Sequence, residues 1–167
     1  MVTMQLLHDE PIIEHAVPSD MEAILTLWAK LMRLTSEFNA RYVLAPGARS
    51  IQRSYLLGFF ESPAAAIYVA RVRGEVAAFV NLYVTKPAQV FEQESIGVIE
   101  NIFVSDEHRR AGIGRALVDR SVRFFQNSRV DDVYVNVIPA NRSSEEFWRH
   151  MGFELNKVTM FRRVRPG

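Results

Sequence analysis

The residues able to do chemistry are concentrated between Val98 and Arg123, in the run VIENIFVSDEHRRAGIGRALVDRSVR. Val98 to Val104 has the length and β-branched content of a buried strand, interrupted by one acid, Glu100, and one amide, Asn101. Burying an unpaired carboxylate is costly, and a charge in such a place is more often a paired structural residue than a catalyst. A polar turn, Ser105 to Arg110, follows, and Ala111-Gly112-Ile113-Gly114 opens a helical pattern. Ile113, Leu117, Ser121 and Phe124 fall on one face of that helix, with Arg115, Asp119, Arg123 and Gln126 opposite. Glycines at the junction remove Cβ atoms that would keep another group from the backbone, and the N–H groups of a helix's first turn point outward together. His108, Arg109, Arg110 and Arg115 add positive charge where the helix dipole already favours an anion. The unit is therefore strand, basic glycine loop and amphipathic helix, a phosphate site on one reading and a solvated basic turn on the other.

Two phosphate loops are excluded by spelling. A Walker loop needs Lys-Ser or Lys-Thr after its second glycine, where Arg115-Ala116 stands, and a dinucleotide fingerprint needs a small residue where Leu117 stands. Arg109-Arg110-Ala111-Gly112-Ile113-Gly114 instead resembles the R/Q-x-x-G-x-G/A signature of the GCN5-related N-acetyltransferase (GNAT) family, whose members transfer an acyl group from acetyl-CoA to an amine. Ile99-Glu100-Asn101-Ile102-Phe103-Val104 resembles that family's central strand. Asn141 to Phe153, NRSSEEFWRHMGF, resembles its N-x-x-A-x-x-F-Y-x-x-x-G-F segment.

The resemblance implies roles residue by residue. The backbone of Arg109, Arg110, Ala111, Gly112, Ile113, Gly114 and Arg115 would wrap the pyrophosphate of acetyl-CoA. The pantetheine arm would pair with Ile102, Phe103 and Val104, and the Ile102 N–H would be the oxyanion donor. Glu100 would act as general base, usually through water. Asn141 would contact pantetheine, although an asparagine there is equally able to cap a helix. A tyrosine commonly protonates the leaving thiolate from the position that Trp148 occupies, and indole cannot do so. Tyr134, Tyr83 or Tyr55 could fill that role, or none is needed, because a thiol of pKa about 8.5 is a tolerable leaving group. His8, His15, His108 and His150 lack metal-ligand spacing, so no metal is expected.

The rest of the chain must position these groups. Its 167 residues are read as one domain, 1–167, with 1–10 a flexible tail. With 49% hydrophobic and 23% charged residues, disorder is disfavoured, and the absence of cysteine excludes disulfides and zinc-thiolate sites. A net charge of +1 without a continuous basic face argues against nucleic acid. No apolar run has membrane-spanning length and the N-terminus lacks a secretion pattern, so no membrane partner and a cytoplasmic location are expected.

Ile12 to Val17 reads as a first strand, Asp20 to Leu34 as a helix opened by the capping-box spelling Ser19-Asp20-Met21-Glu22, and Thr35 to Gly47 as a loop. Glu37, Asn39, Arg41 and Tyr42 in that loop could face a substrate or simply solvent. Ala48 to Glu61 is a second helix stopped by Ser62-Pro63, and Ile67 to Val72 with Val76 to Val84 is a hairpin turning at Arg73-Gly74-Glu75. After the polar connection Lys86 to Glu94 and the central unit come a fifth strand, Val133 to Ile138, and a short helix. Asn141 or Ser143 can cap that helix and Gly152 ends it, and one or two final strands are expected between Phe153 and Val164. This order predicts an α/β fold with a mixed, mostly antiparallel central sheet and helices on both faces. The resemblance adds a splay between strands 4 and 5.

The expected function is direct transfer of the acetyl group of acetyl-CoA to a primary amine on a small molecule or peptide. The alternative is a catalytically inactive CoA-binding sensor or interaction domain, and a nucleotide-phosphate binder is a third possibility. Glu92, Glu94 and Glu100 lie close in sequence and would suit a cationic acceptor, or Glu92 and Glu94 form an ordinary acidic loop. An exposed terminal strand would allow a homodimer.

Overall fold

β-Branched and aromatic runs form strands, and runs with an apolar residue every three or four positions form helices. A computed structural model describes residues 10–90 and 92–164. Its elements are β1 (Ile12–His15), α1 (Met21–Phe38), α2 (Ala48–Glu61), β2 (Ala65–Val72), β3 (Glu75–Thr85), β4 (Ile96–Val104), α3 (Ile113–Asn127), β5 (Val133–Val135) and α4 (Arg142–His150). The strands lie side by side in chain order, antiparallel from β1 to β4 and parallel between β4 and β5. This is the mixed, mostly antiparallel sheet expected from the sequence.

Because strand side chains alternate, β3 feeds two cores. Val80 and Leu82 pack with Ile99, Leu117, Val118 and Phe125 under α3, while Phe79 packs with Ile24, Leu25, Leu56, Val69 and Phe103 under α1 and α2. Helices thus cover both faces. Close approach of α3 depends on Gly97, where a Cβ would stand 2.6 Å from ring carbons of Phe125.

Two irregularities shape the middle of the sheet. Asn81 pairs with Asn101 but Leu82 pairs with Ile99, which leaves Glu100 as the extra residue of a β-bulge. The bulge turns Ile102 and Val104 toward the same core as Ile99, and Phe103 toward the other. The second irregularity is the β4–β5 pairing, which covers only Gly97↔Val133, Val98↔Tyr134 and Ile99↔Val135. Beyond Ile99 the strands part, giving the expected splay.

Several local expectations are corrected. β1 ends at His15 rather than Val17, and α1 runs on to Phe38 rather than Leu34. Ser19 does not cap α1: the Asp20 carboxylate accepts the Val17 N–H at 2.9 Å and both Nη2 contacts of Arg71 at 2.8 Å, so a buried ion pair claims the residue next to the expected cap. The buried ring at the end of α3's apolar face is Phe125, with Phe124 only partly covered. β5 stops at Val135, and the chain turns with Asn141 N–H donating to Ile138 O at 2.8 Å. Asn141, not Ser143, caps α4. Residues 153–164 form no strand, and Leu155, Val158, Met160, Phe161 and Val164 stand exposed. Among the described residues this β-prone segment pairs with no strand, although the outer edge of β5 is unpaired. Of the expected tail, residues 1–9 lie outside the described residues.

Candidate active site

The bulge at Glu100 aims its carboxylate toward the α1–α2 side of the sheet, where two neutral donors hold it. Tyr55 of α2 donates its hydroxyl to Oε1 at 3.0 Å, and Asn81 of β3 donates Nδ2 to Oε2 at 2.6 Å. Asn81 is fully buried, and its Oδ1 accepts from Asn101 Nδ2 at 3.0 Å. A carboxylate only accepts hydrogen bonds, which sets the orientation of the Asn81 amide. Among the described residues no Lys or Arg pairs with Glu100. Its two carboxylate oxygens are thus held by neutral donors and not by a salt bridge.

Tyr55 also stacks edge-on with Phe59, which stacks on Tyr83. Burial, then the charge of Glu100 and the hydrogen bond to it, raise the Tyr55 pKa well above its ordinary value. Burial first and Glu100 second also raise that of Tyr83. Both hydroxyls stay protonated near neutrality and are poor acids. Of the three tyrosines considered as thiolate acids, these two approach Glu100, while Tyr134 sits on β5 opposite Val98 at the closed end of the splay.

The open edge of β4 follows from its ladder. Ser105 N–H donates to Ala77 O at 2.9 Å, and antiparallel pairs alternate between bonded and non-bonded, so Phe103 and Asn101 direct their backbone groups to β3. Ile102 and Val104 direct theirs to the side that β5 has left. The Ile102 N–H thus stands on the splay, next but one to Glu100.

β4 leads into the glycine loop. Arg110 and Gly112 both have positive φ, +63° and +77°. For arginine that conformation costs about 1–2 kcal/mol. Gly112 is the N-cap of α3 and supplies no side chain, and a Cβ there would meet nothing within 4 Å. The first-turn N–H groups of Ile113, Gly114 and Arg115 precede the first intrahelical acceptor bond, Ala116 N–H to Gly112 O at 3.0 Å. N–H groups of a helix's first turn are the kind of donors that receive anions, and the Gly112 side of the loop is open beside them.

Gly114 has a packing reason as well: its Cβ would lie 3.4 Å from the Phe147 ring and 3.8 Å from Val104. Ile113 is buried in the α3 core, and Arg110 and Ala111 are exposed. The Arg109 side chain folds back, with Nε donating to Val104 O at 3.3 Å and Nη2 2.9 Å from Asp106. Arg115 extends toward Asp119 at 3.9 Å.

Asn141 Oδ1 accepts from Ser144 N–H at 3.1 Å, so the cap is made. At the other end of α4, Gly152 (φ +86°) donates to Arg149 O and Phe153 to Trp148 O, each at 3.0 Å, with the Phe153 and Trp148 rings 4.9 Å apart. Trp148 is only 4% exposed, walled between Phe147 and Phe153. In the loop before α2, Asn39 Oδ1 accepts from Arg41 N–H at 3.2 Å, and the Arg41 guanidinium lies 3.1 Å over the Phe161 ring.

Sequence reasoning missed Asn81 and Gly97. Asn81 is the one amide in an apolar strand, the same anomaly that singled out Glu100, whereas nothing local marks Gly97. A groove of about 900 Å³ between α1, the β2–β3 turn and Ser105–His108 lies away from Glu100. There Ser105 Oγ meets His108 Nδ1 at 2.8 Å, a contact within one turn. Among the described residues no cluster of three His, Cys, Asp or Glu could hold a metal ion, and no helix is long and apolar enough to cross a membrane.

The chain resembles the uncharacterized N-acetyltransferase MJ1207 of Methanocaldococcus jannaschii, 23% identical over 148 residues, which are 87% of this chain and 62% of that protein. It thus spans less than two-thirds of that relative's length. Among solved structures, a tetramutant of the BH1408 protein from Bacillus halodurans superposes with a TM-score of 0.81 at 17% identity, covering 92% of this chain and 99% of that one. The aminoglycoside 6′-N-acetyltransferase AAC(6′)-IG from Acinetobacter haemolyticus superposes with a TM-score of 0.71 at 18% identity, covering 93% and 99%. These structures share the fold. Residues 28–153 match the family model described as the acetyltransferase (GNAT) family, and the chain belongs to that family.

Proposed function

We propose that the chain is an N-acetyltransferase moving the acetyl group of acetyl-CoA directly to a primary amine. The observation that carries this reading is the bulge at Glu100: it sets an uncrowded carboxylate two residues from a backbone N–H on the open edge of β4. The same strand runs on into the basic glycine loop. Acetyl-CoA would lie along that edge, with Ile102 and Val104 offering backbone partners and the Arg109–Arg115 loop taking the pyrophosphate. Asn141 would offer its remaining amide group to the pantetheine arm.

An alkyl amine of pKa about 10 arrives as ammonium and must lose a proton before it can attack. Glu100 receives that proton through water. The amine nitrogen then forms a C–N bond to the thioester carbonyl carbon, the Ile102 N–H donates to the developing oxyanion, and the C–S bond breaks with the electron pair leaving on sulfur. The cationic nitrogen gives up its surplus proton to solvent as the oxyanion collapses to the amide carbonyl, a proton returned from solvent completes the thiol, and no covalent bond to the enzyme forms.

Glu100→Gln should lower the rate of thiol release at neutral pH and flatten its pH dependence, and an unchanged profile removes Glu100 from the mechanism. Calorimetric titration should show acetyl-CoA and CoA binding with little for ATP. Gly112→Val and Gly114→Val should weaken that binding more than Arg109→Ala, whose side chain is engaged with Val104 and Asp106. Burial of Trp148 where a general acid is usual favours one alternative, an inactive CoA-binding domain; CoA binding with no thiol release from any amine would select it. A homodimer would cover the apolar side chains exposed between Leu155 and Val164, and sedimentation equilibrium tests it.

A further inference from the structure

Glu100 faces a wall with an unusual charge pattern. From Phe38 to Phe60 there is no Asp or Glu, and the stretch carries Arg41, Arg49 and Arg53. Arg49 and Arg53 share a single carboxylate, Glu22 of α1, and Arg41 lies over Phe161. Arg49 and Arg53 lie on the opposite side of α2 from Ile51, turned to α1, so the face that reaches Glu100 carries no charge of its own. Beside the exposed Arg41, Arg49, Ser50 and Ser54 the stretch shows several apolar side chains: Tyr42, Val43 and Leu44 stand out of the loop before α2, and Ile51 is 68% exposed on α2 itself. Residues four apart share a helix face, so Ile51, Tyr55 and Phe59 form one line. That line runs from the open Ile51 through Tyr55, whose hydroxyl binds Glu100, to Phe59, which is buried.

We infer that the acceptor is a monoamine carried on an apolar or aromatic body, and that polycationic amines are disfavoured. The inference rests on the transferase reading and names its substrate class. Glu100 is the one carboxylate at the line's inner end, and a single ammonium matches it. An acceptor with several ammonium groups would need further acids beside the first, and the Ile51–Tyr55–Phe59 line supplies none, the nearest acids in the chain being Glu37 and Glu61 at the two ends of this stretch. Glu94 lies in the loop before β4 and not on the strand that carries Glu100. Its loop runs to the closed end of the splay, where Gln93 binds Asp132. An apolar body would instead cover Ile51 and the Tyr55 ring, removing both from water. This sets the chain apart from the aminoglycoside acetyltransferase whose fold it shares.

The test compares 2-phenylethylamine with kanamycin and spermidine as acceptors, by thiol release from acetyl-CoA, in the full chain and in Ile51→Glu and Ile51→Ser. Ile51 is largely exposed, so both variants should fold, and an unchanged Tm checks this. The full chain should show kcat/KM for 2-phenylethylamine at least roughly tenfold above either polycation, the effect of burying one small apolar body. Ile51→Glu should lower that value several-fold through KM with kcat retained, and raise the value for kanamycin. Ile51→Ser should lower the first without raising the second. A preference for kanamycin or spermidine, or an acceptor ranking untouched by both variants, overturns the inference and leaves the transferase reading standing. No thiol release from any of the amines overturns both.

Discussion

Asn81 offers the sharpest test of how the site is held. Its Nδ2 donates to Glu100 at 2.6 Å, its Oδ1 accepts from Asn101 at 3.0 Å, and it is fully buried. Asn81→Ala removes a hydrogen bond to a carboxylate, about 1.5–3 kcal/mol, and leaves the partly buried Asn101 amide without its acceptor, about 1 kcal/mol more. The chain should lose about 2–4 kcal/mol and its Tm should fall by about 5–15 °C, as expected for a domain of this size. Urea denaturation of Asn81→Ala, Glu100→Gln and the double variant isolates the pair. A coupling of about 1–2 kcal/mol is expected, since the glutamine amide of Glu100→Gln keeps only a neutral hydrogen bond. kcat for thiol release should drop about tenfold in Asn81→Ala, because the carboxylate loses the contact that fixes its direction while Tyr55 remains. Asn81→Asp puts a second carboxylate where Nδ2 was and should move the acid limb of the pH–rate profile upward, because two adjacent carboxyls resist double ionisation. Additivity of the two single changes within about 0.5 kcal/mol would refute the reasoning.

Further outcomes follow from packing and charge. Gly97→Ala drives a Cβ into the Phe125 ring and should cost about 1–3 kcal/mol in urea denaturation; an unchanged midpoint would show that α3 sits farther from β4. Trp148→Tyr should lower Tm without raising kcat, because a hydroxyl between Phe147 and Phe153 meets the core and not the splay; a tenfold gain in kcat would overturn that placement. His15 stacks on Tyr68 with Arg120 over the same ring, and burial first and the Arg120 charge second lower its pKa. Between that depressed value and about 6.5 the unfolded chain binds more protons, so stability falls as pH drops through this window. Tm of His15→Asn should therefore fall less than that of the parent between about pH 7.5 and about pH 5.5.

Where signals are local, the residues alone determined the outcome. α2 starts and stops where Pro46-Gly47 and Ser62-Pro63 place it, the β2–β3 hairpin turns at Arg73-Gly74, and Gly152 ends α4, because φ restriction and capping act within a few residues. The glycine loop was legible for the same reason. Glu100 stood out as a charge in an apolar run, but its meaning depended on contacts far along the chain. The bulge exists only in the register against β3, Asn81 reaches Glu100 from 19 residues away, and Tyr55 from 45. The sequence pattern between Phe153 and Val164 called for strands, and the fold left them unformed. Strand propensity is local, whereas a strand's hydrogen bonds belong to its neighbour, and only the tertiary structure decides whether that neighbour is there.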